Sequence, residues 1–244
     1  MYILSVDTTA KTAAAAVCRV TEKGELFPIC SSVLNSTLTH SESILPMIDF
    51  CLTNARVALS DIDVIGISAG PGSFTGVRIG IATVKGLAFG SEKTRCVSVS
   101  ALEALAFNGD GEQDGSIICS CMDARRNQFY NALFEKSFDG KITRLCEDRA
   151  VDYKDLFAEL CEKYKDRKIV LTGDGAELAL SLFEKTEGFD GLSVKFIGYD
   201  KTFQNGVSVA KSTLLHIDSA VDCDSLSPVY LRMSQAERER NERT

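Results

Sequence analysis

Apolar positions follow two periods along this chain, and the change from one to the other marks out its elements. Residues 2–6 form a short apolar run that ends in Asp7-Thr8-Thr9. Residues 12–20 read as a second strand. Their Ala13 to Ala16 run favours helix on propensity, but Val17, Cys18 and Val20 and the shortness of the segment favour strand. Lys23-Gly24 turns the chain, and residues 26–33 return as a third strand, giving an antiparallel meander. The period then lengthens. Residues 40–55 carry Ile44, Leu45, Ile48, Cys51, Leu52 and Ala55 at helical spacing, which predicts a core-facing stripe. Met47 and Phe50 fall on the other side, and Pro46 should kink the helix or displace its start.

The densest stretch is residues 61–90. Residues 62–68 are an apolar, β-branched run, as a buried strand requires. Gly70-Pro71-Gly72 stops it, Ser73 and Thr75 are candidate caps, and a helix is predicted over 76–89 with Gly90 after it. This helix is apolar almost all round, broken by Arg78 and Lys85, and holds Gly76, Gly80 and Gly86. Each glycine costs about 1 kcal/mol against Ala in a helix interior. Gly76, Gly80, Thr83 and Leu87 share one side, where a second backbone could come close. Ala82 and Phe89 lie away from Val77, Ile81 and Val84. A strand at 95–99 and a helix at 101–107 capped by Ser100 follow, then a polar turn over 108–115.

There the order begins again. Residues 116–122 are an apolar run ending in Asp123, as the first run ends in Asp7. Strands at 128–134 and 142–146, a helix at 153–164, a strand at 168–171, a helix at 175–184, a strand at 193–197 and a helix at 207–217 complete a second series. Each half therefore reads three strands, helix, strand, helix, strand, helix. The residues themselves do not repeat, so the repeat is one of topology. Beyond Arg232 the tail is polar, with Arg and Glu interleaved, and is expected to fray.

Composition narrows the function. The 244 residues allow one large or two small domains. A net charge of −7 argues against a nucleic-acid surface belonging to this chain alone. The nine cysteines are odd in number with no CxxC pair, and the start has no basic segment before a long apolar one. Both features predict reduced, mostly buried thiols in a cytoplasmic protein. No window approaches a membrane span.

The chemistry on offer is thin. Asp7, Thr8 and Thr9 could hold phosphate and a metal-bound water, or could simply close a turn. The 70–76 loop lies between strand and helix, where an anion can bind, but no Lys follows and the spacing is not a dinucleotide fingerprint. Asp123 with Arg125 and Arg126 reads better as an ion pair holding a turn than as a catalytic group. His40 has no second His at helical spacing, His216 sits in an apolar pattern, and there is no nucleophile elbow. The apolar surfaces of the 40–55 and 76–89 helices are the clearest functional signal, because core burial explains only one face of each. The partner surface expected from them comprises Met47, Phe50, Gly76, Gly80, Ala82, Thr83, Lys85, Gly86 and Phe89.

The motifs, taken together, resemble the bacterial TsaB (YeaZ) family. They are ILSVDTT at 3–9, Ile44-Leu45-Pro46-Met47, GPGSFTGVRIGIATVKGLAFG at 70–90, Ser100-Ala101-Leu102, Met122-Asp123-Ala124-Arg125 and Pro228-Val229-Tyr230-Leu231-Arg232. The resemblance implies an α/β fold of two related actin-like, ribonuclease-H-like lobes. The expected boundaries are 1–107 for the lobe with the partner surface, 108–225 for the second, and 226–244 for a tail. It also implies a non-catalytic subunit in the synthesis of N6-threonylcarbamoyladenosine at position 37 of tRNAs reading ANN codons. Its partners would be a TsaD-type catalytic subunit and a TsaE-type ATPase, with tRNA reached only through the complex. ATP and a metal are expected for the complex rather than for this chain. Paired histidines hold the metal in the TsaD-type relative, whereas here Ile44 stands four residues after His40. Two other readings stay open: an ATP-dependent phosphotransferase or ATPase of the same fold, and a homodimer burying the two apolar helices against themselves.

Overall fold

A computed structural model describes residues 1–189 and 191–232; the expected fraying of the tail beyond Arg232 lies outside the described residues. The first sheet holds β1 (Tyr2–Asp7), β2 (Ala13–Val20), β3 (Leu26–Leu34), β4 (Val64–Gly70) and β5 (Arg95–Ser100) in the order β3-β2-β1-β4-β5. β2 is antiparallel to both neighbours, and β1, β4 and β5 run parallel. The second sheet holds β6 (Ile117–Asp123), β7 (Gln128–Lys136), β8 (Ile142–Arg144), β9 (Arg149–Asp152), β10 (Lys168–Thr172) and β11 (Ser193–Phe196). Its order, β11-β10-β6-β7-β8, repeats the first sheet, with β7 antiparallel to β6 and β10 and β11 parallel to it. The repeated topology expected from the sequence is therefore present: two ribonuclease-H-like lobes of the actin-like kind. β9, which also pairs with β7, was not expected, because four residues are too few to show an alternation.

The helices are α1 (His40–Ala55), α2 (Phe74–Ala88), α3 (Ala101–Ala106), α4 (Tyr153–Tyr164), α5 (Ala176–Lys185) and α6 (Gly206–Leu215). α1 begins and ends where the periodicity put it and continues through Pro46, so the start is not displaced. α2 starts two residues earlier than expected, because the Ser73 hydroxyl accepts from the Gly76 N–H and caps the helix. The alanine run of β2 is strand because it is buried on both sides. Ala13, Ala15 and Val17 face the core under α1, while Ala16 and Cys18 face α6. Tertiary packing here overrides helix propensity.

Two helices cross between the lobes. α6, from the second half of the chain, puts Val209 and Ala210 into a core with Ile3, Val64 and Val97 of the first sheet. α3, from the first half, puts Leu102 and Leu105 against Ile118, Tyr130 and Val170 of the second sheet. Glu103 of α3 meets His216 Nε2 at 2.7 Å beyond the end of α6, which gives that histidine a structural partner. Each sheet is thus covered on one face by a helix from the other half, and the two halves are interlocked.

Candidate functional site: the inter-lobe cleft and the outer helices

The strands β1, β4, β6 and β10 direct their carboxyl ends toward the junction of the lobes, the usual position of a ligand site in parallel α/β sheets. A cleft of about 480 Å³ lies there, lined by Thr9, Lys11, Ser73, Asp123, Asp174 and Arg232 among others. Of the first expected ligand group, only Thr9 borders it. Asp7, Thr8 and Thr9 all have 0% exposure. Oδ1 of Asp7 accepts from the Thr9 N–H and from the Thr9 hydroxyl, each at 2.8 Å. The Thr8 hydroxyl donates to the Gly76 carbonyl at 2.8 Å, and the Thr9 carbonyl accepts from Ser73 N–H at 2.7 Å. Hydroxyls that look from the sequence like phosphate ligands are therefore engaged within the fold, as in a turn that closes on itself.

Burial pushes the Asp7 carboxyl above its ordinary range. Burial likewise pushes Asp174 up to about 6, with the nearby Asp123 carboxylate adding to it. Both acids therefore hold their protons more tightly than exposed carboxyls do. Asp123 is tied down by Arg125, which donates its N–H to Oδ1 at 2.7 Å and its guanidinium to Oδ2 at 3.2 Å. Among the described residues no group of three or more His, Cys, Asp or Glu side chains could hold a metal ion.

The glycines of α2 divide in the same way. A Cβ on Gly76 would lie 2.0 Å from the Thr8 carbonyl oxygen. One on Gly80 would lie 2.4 Å from the Thr8 hydroxyl and 3.0 Å from Ile67. The backbone expected to approach this face is therefore the chain's own turn, and Gly76 and Gly80, both buried, belong to the interior rather than to a partner surface. Gly86 differs: a Cβ there would meet nothing within 4 Å. It stands on the outer face of α2 with Ala82, and Phe89 at the C-terminus is 80% exposed. Thr83 and Lys85 are half-buried, with Lys85 Nζ donating to the Asp224 carbonyl at 3.1 Å.

On α1 the faces need correcting. Met47 is 7% exposed and packs in the first core with Ile44, Ile48 and Cys51. Leu45, expected in the core stripe, is 51% exposed. It lines an apolar groove with Ile48, Leu52, Leu59 and, across from α1, Leu87 of α2. Phe50 is 52% exposed but lies about 140° round the helix from Leu45. It projects from the flank turned away from that groove. The exposed apolar surface thus runs from Leu45 and Leu52 across the groove to the outer face of α2 and Phe89.

Comparison with known proteins fits this geometry. The family model described as "TsaD: tRNA N6-adenosine threonylcarbamoyltransferase" matches residues 34–233. The Bacillus subtilis "tRNA threonylcarbamoyladenosine biosynthesis protein TsaB" is 32% identical over 238 residues, spanning 97% of this chain and 96% of that protein. The chain belongs to the TsaB family. The Escherichia coli TsaB is also 32% identical, over 140 residues that cover 57% of this chain and 58% of its own. A Pseudomonas aeruginosa crystal structure, described as having similarity to the peptidase YeaZ, shares the fold with a TM-score of 0.75 at 23% identity. It covers 95% of this chain and 99% of that one. Within this TsaB fold no helix of the described residues is long and apolar enough to cross a membrane, and no disulfide joins the cysteines.

Proposed function

We propose that this chain is a non-catalytic scaffold subunit in the synthesis of N6-threonylcarbamoyladenosine on tRNA. In this reading it binds a TsaD-type catalytic subunit through the outer faces of α1 and α2. The names carried by the TsaB relatives support the pathway. One observation supports the division of labour: Asp7, Thr8 and Thr9 are buried, with both threonine hydroxyls bonded within the fold, while Leu45, Ala82, Gly86 and Phe89 stand exposed on neighbouring helices. An apolar surface of this kind suits a protein partner better than water. The catalytic groups, the metal and the bound ATP belong to the partners, and tRNA is met by the assembled complex. The same surface would serve self-association of the isolated chain.

The test is reconstitution. The chain should co-purify with the TsaD-type protein of the same organism, and tRNA modification should be lost when either is omitted. Alone, it should hydrolyse neither ATP nor peptide above background. Steady ATP hydrolysis by the pure chain, with the cleft variant Asp174→Asn abolishing it, would return the reading to a phosphotransferase or ATPase.

A further inference from the structure

We propose that residues 220–232 form a strap that fixes the two lobes in one relative position and couples the outer face of α2 to the cleft. The segment starts on the free edge of the first sheet. Cys96 and Val221 exchange two backbone hydrogen bonds, each at 2.8 Å, and Asp222 pairs with Arg95. Leu226 then enters the first core at 3% exposure. Past Pro228 the strap reaches the glycine loop, where Val229 N–H donates to the Ala69 carbonyl at 2.8 Å. The approach is close enough that a Cβ on Gly70 would lie 2.3 Å from the Val229 oxygen. Gly70 also sits at φ +130, which a side chain rarely tolerates.

The last residues connect two places. Tyr230 stacks on Phe74 in the first turn of α2, with centroids 4.5 Å apart and planes 20° apart. Its hydroxyl accepts from Arg78 Nε at 2.8 Å. Leu231 packs into the core shared by α3 and the second sheet. Arg232 Nη1 then donates to the Ala124 carbonyl of the second lobe at 2.7 Å, at the cleft. A charged donor to a carbonyl is among the stronger hydrogen bonds. The turn it holds is a strained one, with Arg125, Arg126 and Asn127 all at positive φ. One continuous segment therefore touches the core of the first lobe, the start of α2 and the cleft turn of the second lobe. Any movement of α2 on partner docking is transmitted along it.

The coupling half of this proposal rests on the partner-binding reading above; the clamping half does not. Hydrogen–deuterium exchange of the full chain, alone and with the TsaD-type protein, separates them. In the isolated chain, Arg232→Ala should raise exchange over residues 123–128 about tenfold, with little change in melting temperature. Should that variant lose its fold, Arg232→Met keeps the apolar stem, removes the donor and gives the same readout. In the wild type, partner binding should slow exchange over 123–128 as well as over α2, and the variant should lose the first effect. Unchanged exchange at 123–128 in the variants overturns the clamp. Protection of α2 with none at 123–128 overturns the coupling while leaving the partner reading intact. No protection of α2 at all overturns the partner reading and the coupling with it.

Discussion

The cleft and the outer helices are built from the same elements and treat their polar and apolar groups in opposite ways. At the cleft, the hydroxyls and the Asp123 carboxylate are bonded to the chain itself, Thr9 to Asp7, Thr8 to Gly76 and Arg125 to Asp123, while Asp7 Oδ2 and Asp174 Oδ1 are buried without a hydrogen-bond partner among the described residues. On the outside of α1 and α2, apolar side chains are left without internal partners. α2 shows both behaviours within one helix. Gly76 and Gly80 are required by the turn pressed against them, whereas nothing inside the molecule requires Gly86. The junction packs most of its polar groups against the chain, and the outer surface carries apolar groups that the fold does not explain.

Changes on the cleft side should therefore alter folding without touching association. The largest effect is expected from Gly76→Ala. Its Cβ would overlap the Thr8 carbonyl, which cannot give way without moving β1, and the loss should be about 3 kcal/mol, read from urea unfolding. A neutral result would mean that the turn is loose enough to admit a ligand.

Next is Asp174→Asn. The folded carboxyl sits near 6 against an ordinary 3.8, so the native state holds its proton more tightly than the unfolded chain. Its contribution to stability is present below about pH 4 and is lost as pH rises through 6. The loss is about 2–3 kcal/mol. The variant, which stays neutral, should be more stable than wild type at pH 7.5 and equal to it at pH 4. Melting curves at the two pH values decide this, and a pH-independent difference would contradict it.

The smallest and most discriminating effect is Gly86→Ala. With open space around the new Cβ, the free chain should gain about 0.5–1 kcal/mol, while binding of the partner should weaken. Opposite signs in melting temperature and affinity are the signature of a glycine kept for a close approach from outside. A gain in stability with full affinity would show that Gly86 is not a contact point.

The sequence made the topology legible because each signal was local. Turn residues, caps and the paired Asp7 and Asp123 strand ends marked the same series twice. Other features depended on distant packing. The crossing of α3 and α6 follows from which sheet each helix finds, and nothing within either helix states it. On α1, Leu45 and Met47 are equally apolar and lie on either flank of the Ile44–Ile48–Cys51 line. The period alone could not say which flank the sheet would take, and the structure chose Met47. Asp7-Thr8-Thr9 reads identically whether it faces a ligand or an interior, and only the 0% exposure distinguishes them. Gly76, Gly80 and Gly86 differed in role but not in sequence signal, since the neighbours of an added Cβ are set by tertiary contact.

The most direct measurement is the affinity of the double variant Leu45→Glu with Phe89→Glu for the TsaD-type subunit, alongside its melting curve. Both side chains are exposed in the free chain, so the fold should be unchanged within about 0.5 kcal/mol. Each contributes about 1.5–3 kcal/mol when buried at an interface. Together with the buried carboxylates, this should weaken binding at least about a hundredfold, at a tenfold change per 1.4 kcal/mol. Loss of binding and of tRNA modification by a normally folded variant is the predicted result. A folded variant that binds at full strength, or one that unfolds because these residues are core, would contradict the account.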